Sequence, residues 1–190
     1  MKKINCYAAE MIPVRLIMSI AIVSAIILMT FFGFLNLKIF LSENQIRSDC
    51  KELESKLYTL IESGVARDVD ETGAGGGTKR IHTFNLPENI VFLSFGCDPD
   101  ENNDGILQTG LTEEGAVIYY KVSGGSKHVI WLDKDFRFRE GKFENNKWII
   151  NGVGEGLIID NSGELVLNFE LVEKNLRKYI LIHSNDAIES

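Results

Sequence analysis

The chain has 190 residues, 45% of them hydrophobic, and a formal net charge of −7. Only four of its 20 basic and two of its 27 acidic residues precede Asn44, so the part from Asn44 onward carries a net charge of −9. So acidic a surface repels phosphate backbones, which argues against nucleic-acid binding. The length allows one membrane segment and one exterior domain.

Residues 1–11 are predicted to form a short basic leader or cytoplasmic segment, and an uncharged stretch of 22 residues follows from Leu16 to Leu37. A helix of that length measures about 33 Å, enough to cross the hydrocarbon core of a bilayer. The apolar core of a cleaved secretory signal is shorter, roughly 7–15 residues, and ends at a small-residue cleavage site. We therefore predict a retained transmembrane helix over residues 16–37.

The flanking charges predict the orientation of this single span. Lys2, Lys3 and Arg15 precede it with only Glu10 against them, whereas the charges on the far side are mixed. The positive-inside rule then places the N-terminus in the cytoplasm and the C-terminal domain outside the membrane.

An amphipathic pattern follows the apolar stretch, and the chain between Gly33 and Gly64 contains neither Gly nor Pro. We therefore predict one long helix over residues 12–63, with an amphipathic part at about 43–63. The apolar positions fall on one helix face because they are spaced by four and three residues in turn. They are Ile46, Cys50, Leu53, Leu57 and Leu60.

Residues 64–78 are rich in Gly and acidic side chains, which predicts a flexible, solvated linker. The stretch lacks the Gly-Lys-Ser/Thr ending of a phosphate-binding loop, since Thr78, Lys79 and Arg80 come in the wrong order. We therefore predict no nucleotide site there.

Residues 79–190 contain about nine short strand-like runs separated by Gly and Asn turns. The clearest alternation places Leu165, Leu167, Phe169 and Leu171 on one face of a strand. A run of strands after one helix predicts the α+β class, with the long helix packed on an exterior antiparallel β-domain.

One loop in this domain has half of a calcium-binding pattern of the EF-hand type. Oxygen ligands recur at alternate positions before a glycine, and the following residue offers its carbonyl group. The acidic residue expected at the twelfth position is missing, because Leu111 stands there and Glu113 comes two residues later. The sequence leaves open a structural calcium site or a plain acidic turn. The candidate ligands are Asp100, Asn102, Asp104, Ile106 and Gln108.

Two of the three cysteines would lie outside the membrane, where disulfides persist. Cys50 lies on the apolar stripe of the helix, and Cys97 follows the strand-like run 90–95. The sequence leaves open a Cys50–Cys97 disulfide that ties the helix to the sheet, or two buried thiols.

Catalytic patterns are absent from the sequence. His82, His128 and His183 stand in three separate strand-like segments without a His or Cys at ligand spacing, and we expect each to be half exposed. Neither G-x-S-x-G nor C-x-x-C occurs. We therefore predict that the protein is not an enzyme and has no catalytic or cofactor-binding residues.

The order of these parts resembles the type IV pilins, and more narrowly the pilin-like surface proteins of archaea. A polar leader, an acidic residue at Glu10, an apolar core, a two-part helix and a β-domain follow one another as in that family. The sequence segments that add to this resemblance are Ile12-Pro-Val-Arg-Leu-Ile17, Val117-Ile-Tyr-Tyr120 and Glu170-Leu-Val-Glu-Lys174.

The resemblance implies that a prepilin-type peptidase removes the leader and that the subunits associate through their N-terminal helices. It also implies a pilus assembly ATPase and a membrane platform protein as partners. The chain departs from the family at the cut. If Glu10 is the fifth residue of the mature chain, the peptidase cuts after Asn5, where the family has Gly or Ala. A cut after Ala8 or Ala9 fits that preference but leaves Glu10 at or next to the new N-terminus.

Small residues at Ala21, Ala25 and Gly33 would also let apolar helices approach closely.

Three hypotheses follow for the function. The first is a structural subunit of a pilus-like filament or pseudopilus that serves adhesion or surface assembly. The second is a single-pass anchored binding or sensing domain that does not polymerise, and the third is an anchored hydrolase that uses a metal at the Asp100 loop.

Overall fold

The structure is a computed structural model that describes residues 7–70, 76–108, 115–132, 136–144, 147–151 and 156–184, with side chains from Pro13 onward. These ranges contain one helix and ten strands, which confirms the predicted α+β class. The elements are α1 (Tyr7–Ser63), β1 (Arg67–Asp68), β2 (Lys79–Leu86), β3 (Ile90–Phe95), β4 (Ala116–Val122), β5 (Lys127–Leu132), β6 (Arg137–Glu144), β7 (Lys147–Ile150), β8 (Leu157–Ile159), β9 (Gly163–Lys174) and β10 (Arg177–Ser184).

Helix α1 contributes to both compact units of the chain, since the division falls between Phe40 and Leu41. In the first unit, the described large apolar side chains are exposed, from 43% at Leu35 to 75% at Met29, except for the half-buried Ile39. The helix is long and apolar enough to cross a membrane, and its most apolar stretch is not buried at all. It is therefore a candidate membrane span. The leader residues 1–6 and the side chain of Glu10 lie outside the described part.

The second part of α1 is buried along one stripe, as the spacing predicts. The five stripe residues Ile46, Cys50, Leu53, Leu57 and Leu60 are each at most 1% exposed. Full burial of a leucine or isoleucine stabilises a fold by about 1.5–3 kcal/mol before the entropy of ordering is counted. This stripe therefore holds the second part of the helix to the β-domain.

Gly64 ends the helix. Its amide donates a hydrogen bond to the carbonyl oxygen of Leu60 over 2.9 Å. A Cβ atom at this position would lie 2.2 Å from the same oxygen, so a larger residue cannot take this conformation.

The strands form two sheets. One has the order β1-β9-β10-β6-β7, with β2 also paired to β9, and the other has the order β5-β4-β3-β8. Most pairings are antiparallel, as expected, but β1 runs parallel to β9 and β10 runs parallel to β6. Neither parallel pair joins neighbours in sequence, so local turn signals do not indicate them. Strand β1 also lies within residues 64–78, which the sequence predicts as linker, and residues 71–75 of that segment lie outside the description.

Aromatic side chains fill the core of the domain. Phe95 on β3 makes edge-to-face contacts with Phe84, Phe138 and Phe169, at centroid distances of 5.6–5.9 Å. Each of these three rings comes from a different strand of the six-stranded sheet, namely β2, β6 and β9. The two sheets are therefore joined through one aromatic cluster.

Polar contacts fix the second part of α1 on this domain. Asp49 accepts a hydrogen bond from the amide of Asn85 over 3.2 Å, and Gln45 donates to the carbonyl oxygen of the same residue. Ser42 donates to the side-chain oxygen of Asn89 over 2.7 Å. These bonds align the helix with β2 and with the turn that follows it.

Candidate functional site

The predicted calcium loop joins β3 to β4 and folds back on itself. Asn103 and Gly105 have φ angles of 54° and 82°, so the backbone turns sharply at both. The Asp100 carboxylate points inward and is buried, and one of its oxygens accepts a hydrogen bond from the Gly105 amide over 3.1 Å. The predicted turn geometry is therefore present.

Two lysines from the neighbouring strands supply positive charge to this loop. The Lys121 ammonium group lies 3.0 Å from the second oxygen of Asp100. The Lys127 ammonium group lies 2.6 Å from a carboxylate oxygen of Asp98 and 2.8 Å from the carbonyl oxygen of Asp100. Lys121 and Lys127 are direct partners across the β4–β5 ladder, so one pair of strands presents both cations to the loop.

The acidity of Asp100 reflects this arrangement. Burial acts to raise its pKa, but hydrogen bonds from Lys121 and from the Gly105 amide outweigh burial and lower the pKa below its usual value. The carboxylate is therefore ionised and compensated within the chain.

The candidate calcium ligands do not all face one point. The Asp104 carboxylate accepts a hydrogen bond from the Ile106 amide over 2.8 Å, and Asn102 is exposed. The Gln108 amide donates to the carbonyl oxygen of Pro99 over 2.8 Å. Within the described ranges, no three His, Cys, Asp or Glu side chains are grouped as a metal would require. Calcium at this loop stays a prediction, and the closing positions 111 and 113 lie outside the described residues.

Cys50 and Cys97 are both fully buried, and the structure records them as thiols with no disulfide between them. This is the second of the two alternatives that the sequence leaves open. Burial, with a smaller effect from Asp49, raises the pKa of Cys50 to about 12. The surroundings of Cys97 differ, since a Cβ atom added at Gly156 would lie 2.6 Å from its sulfur. A Cys50–Cys97 bridge stays an untested alternative.

Two of the three histidines are less exposed than the sequence predicts, whereas His128 is half exposed as expected. His82 and His183 are 2% and 6% exposed, because the strand faces that carry them are covered. The Lys56 ammonium group lies 3.0 Å from Nδ1 of His82, and burial followed by the Lys56 charge lowers the pKa of His82. His128 keeps a more open position, with its ring stacked on Tyr120 and its Nε2 3.1 Å from a Glu43 oxygen.

A buried ion pair lies on the opposite face of β9 from the aromatic core. Arg67 and Glu170 are joined over 2.8 Å, with side-chain exposures of 8% and 1%. Arg67 also donates to the Trp148 carbonyl oxygen over 2.8 Å, and the Gly77 amide donates to Glu170 over 3.0 Å. The pair therefore joins β1, β7 and β9.

Sequence reasoning missed this pair. Alternation on β9 places Glu170 opposite the core face, which ordinarily means solvent. Here that face is covered by a second apolar cluster of Val69, Trp148, Val172 and Leu181. An unusual signal was present, since Arg67 is a basic residue at the start of a linker dominated by acidic residues and glycine.

A cavity of about 300 Å³ opens beside this second cluster. His183 lines it, with its ring stacked on Trp148 at a centroid distance of 3.8 Å. Neither ring nitrogen of His183 makes a well-formed hydrogen bond among the described residues. Burial lowers the pKa of His183 to about 4, with Glu170 acting in the opposite direction. At neutral pH this imidazole is therefore uncharged.

Comparisons of the chain with protein-family models, with curated proteins and with solved structures find no match. The class of this protein is therefore described by its architecture alone. It is an α+β protein with a C-terminal β-domain and an N-terminal helix that includes a candidate membrane span.

Proposed function

We propose that this chain is a non-catalytic structural subunit of a type IV pilus-like surface filament or pseudopilus, used for adhesion or surface assembly. The observation that carries the proposal is the contrast within α1. The large apolar side chains from Val14 to Leu41 are exposed apart from the half-buried Ile39, whereas the stripe from Ile46 to Leu60 is buried in the domain. A helix that is apolar all round requires lipid or other helices as its surroundings.

The proposed life cycle uses both environments. Before assembly the apolar part crosses the membrane, with the N-terminus in the cytoplasm and the acidic domain outside. After removal of the leader by a prepilin-type peptidase, an assembly ATPase and a platform protein would move the subunits into a filament. The apolar helices would then bury one another, and the β-domains would face water.

The first test is the mature N-terminus of chain recovered from sheared surface material. The proposal expects filaments that bind an antibody against the β-domain and a chain that begins between Cys6 and Glu10. Intact mass and N-terminal sequencing measure the start of the chain. A chain that begins at Met1 and stays in the membrane fraction would contradict both processing and assembly.

The second test separates helix packing from domain folding. A Cβ atom added at Gly33 meets nothing within 4 Å, so Gly33→Ile leaves the chain's own contacts intact. We expect this variant to lose incorporation into filaments because the bulkier residue keeps neighbouring helices apart. Ile27→Leu is the matched control, since it conserves volume on the same exposed helix. Equal assembly of the two variants would refute packing through small residues.

A second candidate function is a single-pass anchored binding or sensing domain that does not polymerise. The cavity beside His183 favours it, because a buried imidazole without a well-formed hydrogen bond to any described residue is unusual in a purely structural domain. The mature N-terminus discriminates the two functions. A membrane-bound chain that keeps Met1 supports the anchored domain.

A further inference from the structure

The cavity beside His183 lies between β8 and the strands β6, β7, β9 and β10. Its volume of about 300 Å³ falls at the lower end of the range of small-molecule sites, roughly 300–1,000 Å³. A ligand there would be smaller than a typical drug. The lining includes Glu140, Trp148, Asp160, Glu164 and His183.

The inner surface of the cavity is apolar. Trp148, Leu167 and Ile182 are buried there, and Leu157 and Leu165 are partly buried nearer the opening. Removing apolar ligand surface from water against such residues is favourable by roughly 25 cal/mol per Å². The cavity therefore suits a ligand with a compact apolar body.

The charge of the cavity has one sign. Its described lining contains the carboxylates of Glu140, Asp160 and Glu164 and contains neither lysine nor arginine. Asp160 and Glu164 are exposed at the opening, whereas Glu140 accepts a hydrogen bond from the Asn151 amide group over 2.6 Å. A concave surface lined by one sign of charge attracts the opposite charge and repels the same one.

His183 is a second and independent sign of a ligand. The ring is more than nine-tenths buried, and neither nitrogen makes a well-formed hydrogen bond among the described residues, although the Ser184 backbone acts to raise its pKa. Leaving buried donors and acceptors unpaired costs free energy, which a ligand in the cavity would recover. Because the ring is neutral at pH 7, it offers one acceptor nitrogen to an N–H group and does not repel a cation.

We propose that this cavity binds a small organic cation, a protonated amine carried on a compact apolar body. The apolar body packs against Leu157, Leu165 and Leu167. The lining carboxylates and the acceptor nitrogen of His183 receive the ammonium N–H groups. This inference concerns the β-domain alone and does not depend on filament assembly.

The test uses the full chain in detergent micelles with Trp131→Phe as the background. Trp131 is 59% exposed and Trp148 is 7% exposed, so the background isolates the fluorescence of the tryptophan that lines the cavity. The probe is 2-phenylethylamine at pH 7.5, compared with neutral 2-phenylethanol and anionic 3-phenylpropionate. We expect a saturable change with the amine and binding at least about tenfold weaker for the anion, since charge decides between ligands of similar shape.

Variants at the opening test the carboxylates without disturbing the core. Asp160→Asn and Glu164→Gln should each weaken amine binding by about two- to fivefold, the range of exposed ion pairs. Glu101→Gln is the matched control, because it removes one exposed acidic charge from the loop after β3. It should leave the affinity for the amine unchanged.

His183→Phe tests the imidazole directly, since it keeps an aromatic ring beside Trp148 and removes both nitrogens. We expect weaker amine binding in this variant. The exposed variants keep the test decisive even where His183→Phe perturbs folding. Absence of a saturable response to the amine, equal responses to all three probes, or equal effects of Glu164→Gln and Glu101→Gln would each overturn the proposal.

Discussion

The two compact units of this chain depart from ordinary surface and core composition in opposite directions. The first unit leaves large apolar side chains exposed, such as Met29 at 75% and Phe34 at 66%. The second unit buries charged groups, including Arg67, Glu170 and Asp100. Soluble proteins rarely do either without compensation.

The difference lies in where each unit finds its compensation. Buried charges of the second unit are paired inside the chain, as in the 2.8 Å contact of Arg67 with Glu170 and the 3.0 Å contact of Lys121 with Asp100. The described part of the first unit has no apolar side chain buried along its most hydrophobic stretch. In the proposed function, the surroundings of this candidate span come from outside the chain, as lipid or as other helices.

The strongest test of internal compensation is to remove one member of the buried pair. Arg67→Met should lower the free energy of unfolding by about 3–5 kcal/mol, because it leaves the Glu170 carboxylate buried without its guanidinium partner. Urea unfolding of the full chain in detergent measures the effect.

Two further variants control this experiment. Lys79 is 45% exposed and lies 3.8 Å from the other oxygen of Glu170, so Lys79→Met should cost less than about 1 kcal/mol. The double variant Arg67→Met/Glu170→Leu should recover most of the loss, since an apolar pair can replace a buried ion pair. A loss in Arg67→Met as small as that in Lys79→Met would show that the pair does not carry the charge balance of this face.

The two parts of α1 offer the next test of the contrast. Leu53→Ala removes a fully buried side chain and should destabilise the domain by about 2–5 kcal/mol. Leu28 is 56% exposed, so Leu28→Ala is the matched control and should leave domain unfolding unchanged. Thermal unfolding of both variants in the same detergent measures the difference. Similar destabilisation by the two variants would break the comparison between the units.

The buried imidazole predicts a pH dependence of stability. The pKa of His183 is about 4 in the folded protein and about 6.5 when unfolded, so the unfolded state binds more protons between these values. Stability should therefore fall as the pH drops from about 6.5 to 4, by roughly 3 kcal/mol in full. Unfolding measured across this window in the wild type and in His183→Phe isolates the effect. His82 contributes equally to the wild type and to the variant, so any difference between their pH profiles comes from His183. The same fall in stability in both proteins would contradict the prediction.

The smallest expected effect comes from the acidic loop. The pKa of Asp100 is lowered in the folded state, so its contribution to stability is present above the unfolded pKa of about 3.9 and is lost as the pH falls through the folded value. Asp100→Asn should flatten the stability profile below pH 4, and Lys121→Met should do so in part. Glu101→Gln is the control. An unchanged profile in Asp100→Asn would show that this carboxylate does not contribute to the pH dependence, and an unchanged profile in Lys121→Met would show that the Lys121 contact is not what sets its acidity.

The same loop tests the remaining calcium prediction. Melting temperatures with calcium and with chelator should differ if the ion binds, and Asp104→Ala should remove the difference. Equal melting temperatures under both conditions would leave Lys121 and Lys127 as the cations of this loop.

Periodicity in the sequence determined the architecture of this protein. The spacing of Ile46, Leu53 and Leu60 predicted the buried stripe of α1, and the uncharged run up to Leu37 predicted the candidate span. The β-region and the α+β class followed from alternation and turn residues. These features are local, because a helix face or a strand face is defined by residues a few positions apart.

Only the tertiary structure decided that the face of the larger sheet opposite the aromatic core is also covered, and which residues cover it. Glu170 pairs with Arg67, and His183 stacks on Trp148, although the two members of each pair are far apart in the sequence. Strands β1 and β10 likewise pair in parallel with strands that do not adjoin them in the chain. The acidic loop likewise receives two lysine ammonium groups from β4 and β5, whereas its own sequence left a calcium site and a plain acidic turn open. Long-range pairing brings such groups together, and no pattern within a single segment encodes it.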